Sequence, residues 1–140
     1  MKYTFDGFNW FIRLDKGDRL SDVFETFFAE TDCQGAWVNG IGGAHEITLG
    51  HYSAEDKAHR WQTFTGFYEV TSMQGTVART QDGKPIFHLH ANIGDEQYQV
   101  RGGHVQDMVA GVTFELFIHR SYQPLKRRPE SELGIQVLDV

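Results

Sequence analysis

One strong helical stripe, followed by strand after strand, commits this chain to a sheet with very little helix to cover it. Leu20, Val23, Phe24, Phe27 and Phe28 recur at the 3, 4, 7, 8 spacing of a single buried helix face, and Asp22, Glu25 and Glu30 take the other face. Asp18 stands where an N-cap is wanted and Gly35 where the helix should stop. Such a stripe has to lie against a sheet or another helix. Phe8–Leu14 ahead of it alternates like a strand. After it, Ala36–Ile41, Glu46–Tyr52, Gln62–Val70, Gln74–Arg79, Ile86–Ile93, Gln97–Arg101 and Val112–His119 read as strands, and Leu133–Val140 alternates enough to add a last one. Gln81–Pro85 marks a tight turn between two of them. The expected fold is α+β: a mixed, largely antiparallel, barrel-like sheet flanked by one or two α-helices.

No linker or low-complexity segment divides the 140 residues, so residues 1–140 are expected to form one domain with a real core. Aromatics at 14% mark a globular chain rather than a disordered one. The formal charge of −6 argues against a surface built mainly to neutralise phosphates, since nucleic-acid affinity rests largely on Lys and Arg. Lys126-Arg127-Arg128-Pro129 is the one basic run; acidic residues follow at once, and it reads as a solvated loop. Cys33 is the lone cysteine, which excludes a disulfide within the chain, and it reads as a small apolar filler. The N-terminus lacks the charged start and apolar run of a signal peptide, and no stretch approaches a membrane span, so a cytoplasmic protein is expected. Gly40-Ile41-Gly42-Gly43 suggests a bulge or a close backbone approach. It does not suit a phosphate-cradling loop, because a strand and not a helix follows it.

The most informative segment for function is Ile86–Ile93. Successive strand side chains point to opposite faces, so Phe87, Leu89, Ala91 and Ile93 make an apolar face while His88, His90 and Asn92 share the other. The two histidines have Cα atoms roughly 6.5–7 Å apart, close enough for both rings to converge on one ion. Arg101-Gly102-Gly103-His104 then ends the return strand with two residues that carry no side-chain bulk beside a third imidazole. Three neutral histidines fill three tetrahedral positions and leave a fourth for water, substrate or a ligand from another chain. His45, His51, His59 and His119 have no comparable setting. Glu69, Asp95, Glu96, Asp107 and Glu115 are available carboxylates, but no spacing selects one as a general base, and the catalytic residues, if any, stay unassigned.

Pro85-Ile86-Phe87-His88-Leu89-His90 followed by Gly102-Gly103-His104 resembles the signature of the PPC (plants and prokaryotes conserved) domain family. Arg13-Leu14-Asp15-Lys16-Gly17-Asp18, Gly40–Ala44, Gly66-Phe67-Tyr68-Glu69-Val70 and Phe114-Glu115-Leu116 are similar to its other elements in the same order. The resemblance implies a mostly antiparallel sheet flanked by helices, assembled as a homotrimer. It also implies that His88, His90 and His104 bind a divalent metal, with zinc the expected ion. Plant members carry AT-hooks that grip the minor groove, and bacterial members are described as DNA-binding by association. This chain has no Arg-Gly-Arg-Pro core, and Phe67 stands where the plant partner-recruiting element has Arg. A metal-binding regulatory module, a metal-dependent enzyme or small-molecule site, and a DNA-associated protein are therefore the three functions to separate.

Overall fold

A computed structural model describes all of residues 1–140. Eight strands and one helix follow in the order β1 (Lys2–Phe5), β2 (Asn9–Leu14), α1 (Leu20–Glu30), β3 (Ala36–Ser53), β4 (Ala58–Arg79), β5 (Pro85–Gly94), β6 (Val100–Arg120), β7 (Lys126–Glu130) and β8 (Ile135–Asp139). The strands form one sheet in the order β1-β2-β6-β3-β4-β7-β8, with β5 pairing both β4 and β6. The circuit β3-β4-β5-β6 thus closes on itself through antiparallel pairs, which makes the sheet partly ringed. The single parallel contact joins Arg79 of β4 to Lys126 of β7. The fold is the expected mixed, largely antiparallel, barrel-like sheet, with one flanking helix.

The segments expected as separate strands merge. Ala36–Ile41 and Glu46–Tyr52 are two stretches of β3, whose ladder shifts register between Gly40 and Gly42 and again between Ala44 and Glu46. Gln62–Val70 and Gln74–Arg79 both belong to β4, with a shift between Val70 and Ser72 against β5. Alternation breaks at a bulge although pairing continues, so a strand of 22 residues reads as two. β1 was not apparent in the sequence; it pairs antiparallel with β2, Tyr3 opposite Ile12 and Phe5 opposite Trp10.

Leu20, Val23, Phe24, Phe27 and Phe28 of α1 are all buried, as their spacing requires. The ends of the helix differ from expectation. Arg19 occupies the N-cap position and makes no side-chain cap. Asp18 sits one residue too early and instead accepts the Asp15 backbone N–H at 2.9 Å and the Met1 amino group at 2.6 Å. Asp107, from β6, supplies the missing acceptor: its Oδ1 takes the Ser21 N–H at 3.1 Å and its Oδ2 the Ser21 hydroxyl at 2.9 Å. The helix also stops before Gly35. Thr31 closes it by donating both its N–H and its hydroxyl to the Phe27 carbonyl, while Gly35 is packed under Leu125.

The helix stripe meets the inward faces of β2, β3, β5 and β6 in a core that includes Trp10, Ile12, Val38, Ile47, Leu89, Ile93, Phe114 and Leu116. Cys33 is fully buried in the same core, and burial pushes its thiol above the ordinary range. The basic run at 126–129 is not a solvated loop. It forms β7, paired with β8 through Arg127 opposite Leu138. Pro129 is tolerated because it lies near the end of a short strand, and Arg127 is buried.

Candidate metal centre

β5 does what its alternation dictates. Leu89, Ala91 and Ile93 are buried, and His88, His90 and Asn92 point away from the core. The third histidine is delivered by pairing: in the β5–β6 ladder His90 stands directly opposite His104, and Asn92 opposite Gly102. β6 also pairs β3 there, with His104 opposite Gly50. The two small residues before His104 permit this. A Cβ at Gly103 would lie 2.8 Å from the Gly50 carbonyl oxygen, so a side chain would push β6 away from β3. The glycines therefore serve close strand approach rather than open space for an ion.

Gly75 makes the matching adjustment on β4. It pairs with Leu89, between His88 and His90, and has φ 153°. A Cβ at Gly75 would overlap the His88 carbonyl oxygen. β5 is thus held tightly between β4 and β6, and the spacing of its two outward histidines is fixed by the ladders on both sides.

The result is one convergent group. The rings of His88, His90 and His104 have centroids 5.3 Å (His88–His90), 5.0 Å (His88–His104) and 5.3 Å (His90–His104) apart. Each offers a nitrogen, and the three nitrogens lie within 4.8 Å of one another. Nitrogens bound to one tetrahedral zinc are about 3.3 Å apart, given Zn–N bonds of about 2.0–2.1 Å. Small rotations of rings on exposed and half-buried side chains cover that difference. His119 Nδ1 lies 2.7 Å from Asn9 Oδ1, but no protein hydrogen bond engages His88, His90 or His104.

The surroundings of His88 and His104 favour the neutral imidazole, the form a metal requires. Burial, then the neighbouring His88, lowers His104 to about 4. Burial, then the charge of Arg127 and His90, lowers His88. The group fits a divalent cation in number and type.

Besides His51, two residues not selected from the sequence belong to this site. His59 stacks on Trp61 with centroids 4.8 Å apart and reaches His104 at 4.6 Å; burial lowers its pKa too. The alternation His59-x-Trp61 puts both on one face, but only the ladder, with Trp61 opposite Gly50 and Gly50 opposite His104, reveals that this face is the histidine face. Arg127 is the second, and the acidic residues that follow the basic run masked it. Both line, with His51 and the three candidate ligands, a cavity of about 660 Å3. His45 and His119 lie elsewhere. None of the five carboxylates considered above lines the cavity. Asp107 caps the helix, Asp95 binds Arg101 at 2.8 Å, Glu69 and Glu96 line a separate cleft at the β5–β6 turn, and Glu115 lies on the outer face of β6.

Residues 1–121 match the profile of the Plants and Prokaryotes Conserved (PCC) domain, the family abbreviated PPC above. Among solved structures, a candidate DNA-binding protein from Ralstonia eutropha JMP134 is similar at 26% identity and TM-score 0.90, covering 99% of this chain and 96% of that one. A metal-containing protein from Archaeoglobus fulgidus is 26% identical with TM-score 0.83, covering 98% of each chain. A plant- and prokaryote-conserved protein from Pyrococcus horikoshii shares the fold at 24% identity and TM-score 0.86, covering 99% of this chain and 95% of that one. No curated protein matches the chain. No helix is long and apolar enough to cross a membrane.

Proposed function

The chain belongs to the Plants and Prokaryotes Conserved domain family, and from that premise we propose that it is a homotrimeric, metal-binding module that works in association with DNA. Residues 1–140 act as one domain, and His88, His90 and His104 hold a divalent metal ion, zinc. The observation that carries this reading is the convergence of three unpartnered imidazole nitrogens within 4.8 Å. The similar Archaeoglobus protein is metal-containing, and the similar Ralstonia protein is a candidate DNA-binding protein, which supports the two halves of the proposal. Zinc suits an all-imidazole ligand set, and when bound it would supply a Lewis-acid centre.

The trimer reading is supported by apolar side chains left in water. Phe11, Ile41, Phe67 and Val112 are all exposed, and Phe11, Ile41 and Phe117 line an apolar groove of about 710 Å3 on the outer sheet face. Exposed apolar surface of this kind marks contact faces. The DNA association is not expected to rest on a broad phosphate-contacting surface, given the charge of −6.

Metal analysis of the purified protein beside a variant with His88, His90 and His104 all changed to Ala tests the central claim. We expect one ion per chain in the parent and none in the variant; equal metal content in both would reject the site. Light scattering should give three chain masses. DNA binding followed against salt should be measurable at low salt, and no binding there removes the DNA arm.

A second reading, a small-molecule or metal-enzyme site, is favoured by the cavity that all three histidines line. Activity compared between metal-loaded and stripped protein tests it, and equal rates would reject a metal-dependent reaction.

A further inference from the structure

The cavity shared by the histidines holds a cation without a counter-ion in an acidic protein. His51, His59, His88, His90, His104 and Arg127 line it, and no aspartate or glutamate does, although the chain carries a formal charge of −6. Arg127 is only 5% exposed. Its Nη1 donates to the Gln136 carbonyl and its Nη2 to Thr76 Oγ1, each at 2.9 Å, but its Nε has no partner. No carboxylate lies within ion-pair distance of it. The adjacent Arg128 takes Glu130 at 3.0 Å and Asp139 at 3.6 Å instead.

A guanidinium stays charged in a protein even when buried. Burying it without a counter-ion is costly, and a well-packed apolar residue in its place would hold a β-strand at no such cost. One bond within the β7–β8 hairpin, to Gln136, and one from it to Thr76 of β4 therefore account for two of its donors but not for the choice of a cation. Burial opposes the Arg127 charge, and that charge acts on both His88 and His104. Adding a divalent ion to three neutral rings beside Arg127 would raise the uncompensated charge further. An anion in the cavity would supply the missing counter-charge. Arg127 lies beyond residues 1–121, the part matching the family profile, in the β7–β8 hairpin.

We propose that the cavity binds a small oxyanion, a carboxylate or phosphate group, with Arg127 as its counter-charge and the His88–His90–His104 wall as its second anchor. The second anchor rests on the metal reading given above; the first rests on Arg127 alone. At about 660 Å3 the cavity has room for a metabolite-sized molecule bearing that group. The second N–H groups of Nη1 and Nη2 are the donors left for either oxyanion, Nε itself being buried, whereas a neutral amide would leave the charge unmatched.

The test uses the whole protein and the probes acetate, inorganic phosphate and neutral acetamide. Cobalt(II) loading gives a visible spectrum that reports on the ligands of the ion, and calorimetry follows the same titrations with and without metal. We expect acetate or phosphate, but not acetamide, to bind the parent and to shift the cobalt spectrum. Whichever of acetate and phosphate binds more tightly identifies the source class. Arg127→Met should weaken that binding at least about tenfold, the loss of one charge-assisted contact, while cobalt content stays unchanged; Arg127→Lys should recover part of it. Equal anion affinity in Arg127→Met and parent, or acetamide binding as tightly as acetate, overturns the proposal. If Arg127→Met fails to fold, the acetate–acetamide comparison in the parent still decides. If no cobalt binds, the metal reading falls by itself, and Arg127-dependent anion binding to the metal-free protein is then the result that upholds or overturns the proposal.

Discussion

Replacing Gly75 by Ala should strike the fold and the histidine wall together. Gly75 has φ 153°, a region that L side chains rarely adopt. Holding a non-glycine residue there costs about 1–3 kcal/mol. The added Cβ would also overlap the His88 carbonyl oxygen and lie 2.9 Å from the Leu89 Cα. Both are backbone atoms, so no side-chain rotation relieves the clash, and β4 and β5 must separate. Overpacking of this kind costs about 1–3 kcal/mol more. The sum, roughly 2–6 kcal/mol, lowers Tm by roughly 6–18 °C in a chain of this size. Gly66 provides the control: its φ is 103°, and a Cβ there meets nothing within 4 Å. Gly66→Ala should pay for strain alone and lose only about 1–3 kcal/mol. Circular-dichroism melts of the two variants give the comparison. Because Gly75 pairs with Leu89, between the two histidines, Gly75→Ala should also lower metal content more than Gly66→Ala does. A Gly75→Ala protein no less stable than Gly66→Ala would refute the claim that backbone contact at this point sets the position of β5.

Asp107→Ala removes the distant acceptor at the start of α1 and should cost about 1–2 kcal/mol, read as a Tm lower by roughly 3–6 °C; an unchanged Tm would show that water replaces the cap. The Asp95 carboxyl is held below its ordinary range by Arg101, then by the Gln99 backbone N–H. A lowered folded-state pKa means that this contribution is complete above the unfolded value of about 3.9 and is lost as pH falls through the lower folded one. Amide protection in the 95–99 turn, taken relative to the intrinsic exchange rate at each pH, should therefore fall below about pH 4, and Asp95→Asn should remove that acid dependence; protection equally low at neutral pH contradicts it. Cys33, fully buried with its thiol raised, should resist iodoacetamide in the native protein and react on denaturation; rapid labelling of the native form would show that this part of the core opens.

The parts of the fold that periodicity encodes were legible in the sequence, and those that pairing encodes were not. Leu20, Val23, Phe24, Phe27 and Phe28 announce the helix because its contacts repeat along the chain, and Phe87, Leu89, Ala91 and Ile93 announce one face of β5 for the same reason. The helix ends were misjudged because their partners are remote. Asp18 is the nearest capping residue in sequence, but the acceptor is Asp107, 86 residues from Ser21. Bulges near Gly40 and Ala44 break the alternation without ending the strand. In β7, Arg127 looks like one charge among several until the β7–β8 pairing and the bonds to Thr76 and Gln136 show that it faces inward.

The same division explains the candidate site. His88 and His90 are two apart on one strand, so their common direction follows from the backbone alone. His104 joins them only through the β5–β6 register that sets it opposite His90, and a slip of one residue would turn it to the other face. His59 is one pairing further removed, reaching the site through Trp61, Gly50 and His104 in three adjacent strands. Arg127 is further still, delivered by a hairpin that meets β4 at a single parallel contact. Each step outward from β5 adds a non-local pairing that the sequence does not display. The constraint tightens in the opposite direction. Ladders on both sides of β5 fix the backbone that carries His88 and His90, and burial with two hydrogen bonds holds the guanidinium. The backbone of the histidine wall should therefore keep its geometry across ligands, and the histidine rings, which make no hydrogen bonds, are the members that turn to suit what the cavity holds.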